Sequence, residues 1–354
     1  MKTNYPDDME YWLLDLLLTI EGAVYIAFSI RNLGKSYSAY KLVIKHALKK
    51  GRSFCWSRWD EGELSIAINE FEKLINPDQW TKVQLSNTKF GCYFENKDNK
   101  CRGYFLPVKE AAKFKGMDIP NLYWWVYDEF IPEFYQNKTR KLEEAEKWNS
   151  MHTTLRRNNE HFKSILICNC LSWFQAFFKQ WKITYFPPGE IKVFEQKVSM
   201  NINGKLIESS QKIVMENVKP TSKMLERVIN EEVLKGKNEQ EILDYIGNAT
   251  RDSDGLIEVC PNTALPFVSV QWLLKDRYYS CRKYNGVYYF VESKYREGVP
   301  IITMNKDEIR TGVVRDRAYA KKFEEWINAG HIRFDNGFTQ SAVFNMVWLG
   351  RERL

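Results

Sequence analysis

Three groups of residues could do chemistry. The first is Ser29-Ile30-Arg31-Asn32-Leu33-Gly34-Lys35-Ser36, most of the phosphate-binding pattern G-x-x-x-x-G-K-[ST]. In that pattern backbone N–H groups cradle phosphate oxygens, the Lys reaches the β- and γ-phosphates of a nucleotide such as ATP, and the hydroxyl sits on Mg²⁺. Ser29 stands where the first glycine belongs. Its Cβ resists φ > 0, so the loop either keeps an ordinary φ there or is strained. Short G-K-S strings also arise by chance, so the surrounding elements must decide whether the motif is real.

The second group is Asp128-Glu129, which ends the aromatic run from Asn121 to Phe130. One carboxylate can hold Mg²⁺, and the next can take the proton of an attacking water. Asp-Glu after a strand is also an ordinary helix start. The third group is Arg156-Arg157, followed by an apolar run from Ser164 to Cys168 that ends at Asn169. Either arginine could reach the γ-phosphate of a neighbouring subunit, and Asn169 could sense that phosphate. Taken alone, such residues are more often surface cations and turn formers.

These groups need elements to position them. Residues 23–29 read as a strand buried on both faces, and Ala39, Leu42, Val43, His46 and Ala47 recur at helical spacing after the loop. Strand, phosphate turn and helix stand in the required order, with the helix N-terminus on the phosphate. Acids at the carboxyl end of a second strand would face the same crevice. Upstream, the apolar stretch 12–30 is broken by Asp15, Glu21 and Gly22, and is read as a helix near 9–20 and a strand. No membrane or export signal is expected there.

Further along, residues 82–106 alternate, predicting a β-hairpin whose tip carries Lys97, Lys100 and Arg102, candidate contacts for DNA phosphates. A solvated turn is the plainer reading of those cations. Residues 140–162 carry an amphipathic helical stripe through Leu142, Ala145, Trp148, His152 and Leu155, closed by Arg156 and Arg157. Asn203-Gly204 between alternating runs signals another hairpin. The boundaries predicted are a phosphate-loop domain over 1–217, a helical linker over 218–254 and a smaller α/β lobe over 255–354.

Composition limits the classes of function. A chain of 354 residues with 44% hydrophobic content can build more than one core. Lys and Arg outnumber Asp and Glu by 52 to 45, leaving a spread charge of +7 and a mild bias toward polyanions. Seven cysteines without a C-x-x-C pair suit packing thiols in a reducing compartment, and four histidines without zinc spacing argue against a His-built metalloenzyme.

The variant loop with Arg31 inside it, Lys115 in Lys113-Phe114-Lys115-Gly116, the Asp128-Glu129 strand end, the stretch from Arg156 and Arg157 to Asn169, and His331-Ile332-Arg333-Phe334-Asp335-Asn336 together resemble one family. It is the DNA-packaging ATPases of small, protein-primed tailed phages, relatives of the large terminase subunits. The resemblance implies an α/β fold: a P-loop ATPase domain of the ASCE type with a central, mostly parallel sheet, plus a C-terminal lobe like a degenerate RNase H nuclease. It implies a ring of subunits, a pentamer, that drives double-stranded DNA through the portal of a prohead on ATP hydrolysis.

By the same resemblance, Ser29, Arg31, Asn32, Gly34, Lys35, Ser36 and Arg58 would lie at the nucleotide and Ser36 and Asp128 at Mg²⁺. Glu129 would be the catalytic base, Arg157 or Arg156 the arginine acting in trans, Lys115 a second cation across the interface, and Asn169 the coupling residue. Its partners would be duplex DNA, the portal and a prohead RNA, with no membrane. It would work in the cytoplasm of the infected bacterial host, transiently at the prohead vertex, and be absent from the mature virion. The strand from Phe267 to Trp272 carries Ser269 and Gln271 but no Asp or Glu, which predicts a lobe without nuclease activity. The alternatives are a terminase-like nuclease or helicase motor, and a nucleotide-gated DNA-binding protein that does not hydrolyse ATP.

Overall fold

The computed structural model describes residues 1–3, 5–84, 91–130, 138–157, 159–169, 176–181, 183, 186, 188–202, 205–239, 241–242, 258–267, 269–274, 277–305, 308–329, 331–335, 339–340, 342–343 and 346–347. The chain divides into two compact units, 1–170 with 188–249, and 171–187 with 250–354.

The first unit contains α1 (Asp15–Leu18), β1 (Val24–Ser29), α2 (Lys35–Lys50), β2 (Ser53–Ser57), α3 (Glu61–Leu74), β3 (Trp80–Gln84), β4 (Gly91–Glu95), β5 (Lys100–Phe105), a 3₁₀ helix (Val108–Phe114), β6 (Leu122–Asp128), α4 (Lys138–Arg156) and β7 (Lys163–Asn169). After α5 (Ala176–Gln180), which belongs to the other unit, it resumes with β8 (Glu190–Ile202), β9 (Lys205–Asn217) and α6 (Ser222–Leu234). Its sheet has the order β3-β4-β5-β2-β6-β7-β1-β9-β8. The run from β5 to β9 is parallel throughout, with antiparallel strands only at the two edges. That is the predicted mixed α/β fold around a large, mostly parallel sheet.

Parallel strands must be covered on both faces, and the sequence supplies apolar groups for both. All six residues of β1 are buried. On β6, Trp124 and Trp125 point to opposite faces by strand alternation. Trp124 donates its indole N–H to His46 of α2 at 2.8 Å, while Trp125 stacks on Trp148 of α4 at 5.2 Å between ring centres. These two contacts seat the helix that follows the phosphate loop and the helix that ends at Arg156. The register pairs Ser29 with Asn169 and Asp128 with Ile167, so the loop, the acid pair and Asn169 emerge from one end of the sheet.

The helix expected near 9–20 shrinks to α1. Trp12 donates its backbone N–H to the Leu33 carbonyl at 2.8 Å and its indole to Glu216 at 3.0 Å, and Ser38 Oγ accepts from Leu14 N at 2.9 Å. Apolar burial here comes from a segment laid against the loop and β9, and tertiary contacts override the helical spacing. The predicted Asn-Gly hairpin lies between β8 and β9, whose register reaches Ile202 opposite Lys205; residues 203–204 themselves lie outside the described residues. Asn336 and most of the final segment, 348–354, lie outside them too.

Glu216, fully buried on β9, takes hydrogen bonds from Tyr5 and Trp12. Burial lifts its carboxyl from 4.5 to about 7, the two donors pulling the other way. The folded chain therefore holds this proton more tightly than the unfolded chain between those values. The contribution to stability is full below the lower value and is lost as pH rises through the upper one. Glu216→Gln, which keeps the group neutral, is expected to flatten the fall in stability between about pH 5 and about pH 8, read by chemical denaturation.

In the second unit lie β10 (Leu265–Pro266), β11 (Gln271–Leu274), β12 (Arg277–Tyr284), β13 (Val287–Ser293), β14 (Ile301–Thr303), β15 (Val313–Arg315), α7 (Ala318–Asn328) and β16 (Ile332–Phe334). The sheet order is β15-β14-β11-β12-β13-β16, with β10 on β12. Its core gathers Trp272, Phe290, Phe323 and Phe334. Gln271, buried on the central β11, donates to Ser293 Oγ at 2.9 Å and Lys294 O at 2.8 Å and accepts from Arg296 N at 2.9 Å. Its amide is spent on local structure.

Candidate active site

The phosphate loop keeps an ordinary backbone at Ser29, which is the last residue of β1 and is not among the residues with positive φ. The substitution for glycine therefore stores no strain. Its hydroxyl accepts from Lys35 Nζ at 2.9 Å, and the same ammonium donates to Ile30 O at 2.7 Å and lies 3.5 Å from Asn169 Oδ1. The turn instead uses left-handed backbone at Asn32 (φ 60°) and Gly34 (φ 86°). Asn tolerates that region. At Gly34 a Cβ would also sit 2.9 Å from Tyr11 Cδ1, so glycine is needed twice over.

Opposite the loop, Ser36 Oγ donates to Asp128 Oδ1 at 3.0 Å. Arg58 grips the other oxygen, Oδ2, at 2.7 and 3.2 Å, and reaches Glu129 Oε2 at 3.6 Å. Glu129 itself adopts φ 55°. For a residue with a Cβ this costs on the order of 1–2 kcal/mol, and it turns the chain sharply as the strand ends. Its backbone N–H stays tied to Ile167 O at 2.8 Å. Burial and the neighbouring Asp128 charge push the Glu129 carboxyl above its ordinary range, with Arg58 opposing. The consequence is a carboxylate that takes up a proton more readily than an exposed glutamate.

Arg31, Asn32, Gly34, Lys35, Ser36, Asp128, Glu129 and Asn169 line one cavity of about 710 Å³. Ser29 and Arg58 act from behind its wall, through Lys35 and Asp128, and not as direct lining groups. Arg156 and Arg157 stand at the opposite end of the sheet, before β7 begins, while Asn169 ends that strand. Seven residues of strand separate them by roughly 20 Å. Arg156 donates to Gln211 at 3.3 Å, and exposed Arg157 lines a different cavity with Lys50, Arg52 and Asn121. Lys115 is exposed where the 3₁₀ helix ends, outside the first cavity.

Lys97 lies in the turn between β4 and β5, and Lys100 opens β5; both are exposed. Arg102 corrects the expectation of a basic tip. It sits inside β5 with its side chain 8% exposed, paired with Glu95 and Asp98 at 3.4 and 2.5 Å. A guanidinium so committed pins the turn and is not offered to a phosphate.

The sequence shows the helix α6, read above as part of a helical linker, but not its place beside the phosphate loop. Arg227, Glu231 and Lys235 line the cavity, and their spacing of four puts them on one helical face. Arg227 donates to the Asn32 carbonyl and pairs with Glu231, and Asn32 Nδ2 donates to Glu232 at 3.3 Å. The helix is thus bound to the phosphate loop. The charged stripe was readable as a signal, but its target was not.

A phosphate loop after a central strand of a parallel sheet, facing an acid pair at the end of a second strand, defines the class: a P-loop ATPase-type α/β protein. The chain belongs to the family described as Podovirus DNA encapsidation protein (Gp16), whose pattern matches residues 7–224. The DNA packaging proteins of Bacillus phage phi29 and Bacillus phage PZA are each 25% identical to it over 162 residues, 46% of this chain. That match spans 47% of each relative, so the chain covers about half the length of the curated relatives it matches. Among solved structures, the Phi-28 gp11 DNA packaging motor is similar at a TM-score of 0.55 with 15% identity, covering 98% of this chain and 99% of that one. The bacteriophage Phi-29 viral genome packaging motor assembly gives 0.52 with 16% identity, covering 97% and 100%. At those identities the likeness shows the fold.

Proposed function

We propose that this chain is a viral genome packaging ATPase that hydrolyses ATP to move double-stranded DNA into a preformed prohead. The observation that carries this reading is the convergence of Lys35, Ser36, Asp128, Glu129 and Asn169 on one cavity at the end of a parallel sheet. Lys35 contacts the β- and γ-phosphates once a nucleotide replaces its present oxygen partners. Ser36 Oγ and Asp128 Oδ1, a hydroxyl and a carboxylate oxygen 3.0 Å apart, suit a hard cation and would hold Mg²⁺. When bound, that ion neutralises phosphate charge. Glu129 orients the attacking water and takes its proton, and Asn169 senses the γ-phosphate from beside Lys35.

Arg157 completes the site of a neighbouring subunit, with Lys115 as a further cation at that interface. A closed ring, a pentamer, is the assembly in which every site receives such an arginine. Lys97 and Lys100 contact duplex phosphates without reading bases, which suits a motor that must pass any sequence. The second unit is the nuclease-like lobe without nuclease activity, and it meets the portal, a prohead RNA or DNA at the prohead vertex in the host cytoplasm. Among the described residues no helix is long and apolar enough to cross a membrane.

Displacement of a third strand from duplex DNA tests translocation. ATP-dependent displacement that is indifferent to duplex sequence and weakens with salt is the expected result. Turnover at background in the presence of DNA would favour a nucleotide-gated binding protein, and Mg²⁺-dependent nicking of plasmid would restore the nuclease reading.

A further inference from the structure

Two aromatic rings flank the mouth of the phosphate loop, and the hydrolytic steps use neither. Tyr37 directly follows Ser36 and is 40% exposed; Tyr11 is 41% exposed. Both line the cavity that contains Gly34, Lys35 and Ser36. Their ring centres lie 6.3 Å apart with the planes inclined at 44°.

Each ring is held by its surroundings. Tyr11 packs against the bare Cα of Gly34, and the Arg227 guanidinium lies 4.2 Å from its ring centre. Arg227 is fixed in turn by Glu231, the Asn32 carbonyl and the Glu10 carbonyl. The Lys41 ammonium lies 4.5 Å from the centre of the Tyr37 ring. A cation over a ring face is attracted to it and helps to fix the ring's orientation, and about two fifths of each tyrosine remains exposed. Apart from Leu33, Gly34 and Cys168, the other groups lining this cavity are charged or strongly polar, suited to phosphates and Mg²⁺. The two tyrosines supply the flat apolar surface that a nucleobase requires.

We propose that Tyr11 and Tyr37 hold the base of the bound nucleoside triphosphate by stacking, an inference that rests on reading the cavity as the ATP site. The base lies at the mouth of the cavity and the phosphates run inward to Lys35. Stacking accepts any π face, so this contact rewards the presence of a base more than its identity. The link from Tyr11 through Arg227 to Glu231 also ties base occupancy to α6.

Equilibrium binding of Mg²⁺-ATP and of inorganic tripolyphosphate to the full chain tests this. Tyr37→Ala is expected to weaken ATP about tenfold, within the range for loss of one stacked base. Tyr37→Phe should restore it, and tripolyphosphate should bind all three proteins alike. ATP affinity unchanged in Tyr37→Ala, or ATP and tripolyphosphate weakened equally, would overturn the base subsite while leaving the phosphate site in place. Wild type that binds neither ligand would instead remove the ATP site, and the base subsite with it.

Discussion

Exchanging Glu129 for Gln is expected to lower ATP turnover by about 10²–10⁴-fold while nucleotide affinity stays within about tenfold of wild type. The amide keeps the shape and one acceptor but cannot take a proton. Binding is spared because, on the proposed reading, the phosphates are held by Lys35, the loop and the Ser36-Asp128 pair, and the exchange leaves the Lys35–Ser29 and Ser36–Asp128 hydrogen bonds in place. Phosphate release and nucleotide binding, measured on the same protein, separate the two effects. A loss confined to binding would assign Glu129 to nucleotide retention and remove it as the base.

The second large effect belongs to Arg157. A trans-acting arginine is worth about 10³–10⁵ in kcat, so Arg157→Ala should reduce turnover by that order with binding retained. On the proposed reading the effect crosses a subunit boundary, because within one chain the length of β7 separates Arg157 from the loop. Mixing Arg157→Ala with Glu129→Gln should recover turnover, since a Glu129→Gln subunit still lends its arginine to a neighbour with an intact base. Failure to recover in mixed rings would contradict action in trans, and recovery by Arg156→Ala in place of Arg157→Ala would reassign the role to Arg156.

What could be read from the sequence was what local pattern determines. The apolar run before Ser29, the helical spacing after Ser36 and the aromatic strand ending at Asp128 each announced an element and the end of it that bears chemistry. Parallel pairing then brought the loop, Asp128 and Asn169 together, as β1, β6 and β7 are neighbours in the sheet. Long-range contacts were the part that stayed hidden. Arg227 reaches the Asn32 carbonyl across 195 residues, and nothing in the local charge pattern of α6 names that target.

Two misreadings have the same origin. Residues 9–20 carry apolar groups at helical intervals, yet Trp12 and Leu14 bond to the loop and to α2 in preference to forming helical turns. Arg102 was placed at a tip from composition, whereas strand register decides that it lies inside β5 beside Glu95 and Asp98. The Ser29 anomaly resolved in the other direction. Its ordinary φ and its bond to Lys35 show that a serine fits this loop where the usual pattern has glycine.

On the proposed reading, the loop at 29–36 holds the phosphates of a nucleotide that this chain hydrolyses under the influence of duplex DNA. Phosphate release by wild type and by Lys35→Ala, each with and without double-stranded DNA, tests it most directly. Turnover in wild type should rise when duplex DNA is added, and Lys35→Ala should stay at background under both conditions. Equal turnover in the two proteins, or a wild-type rate at background with DNA present, would contradict it.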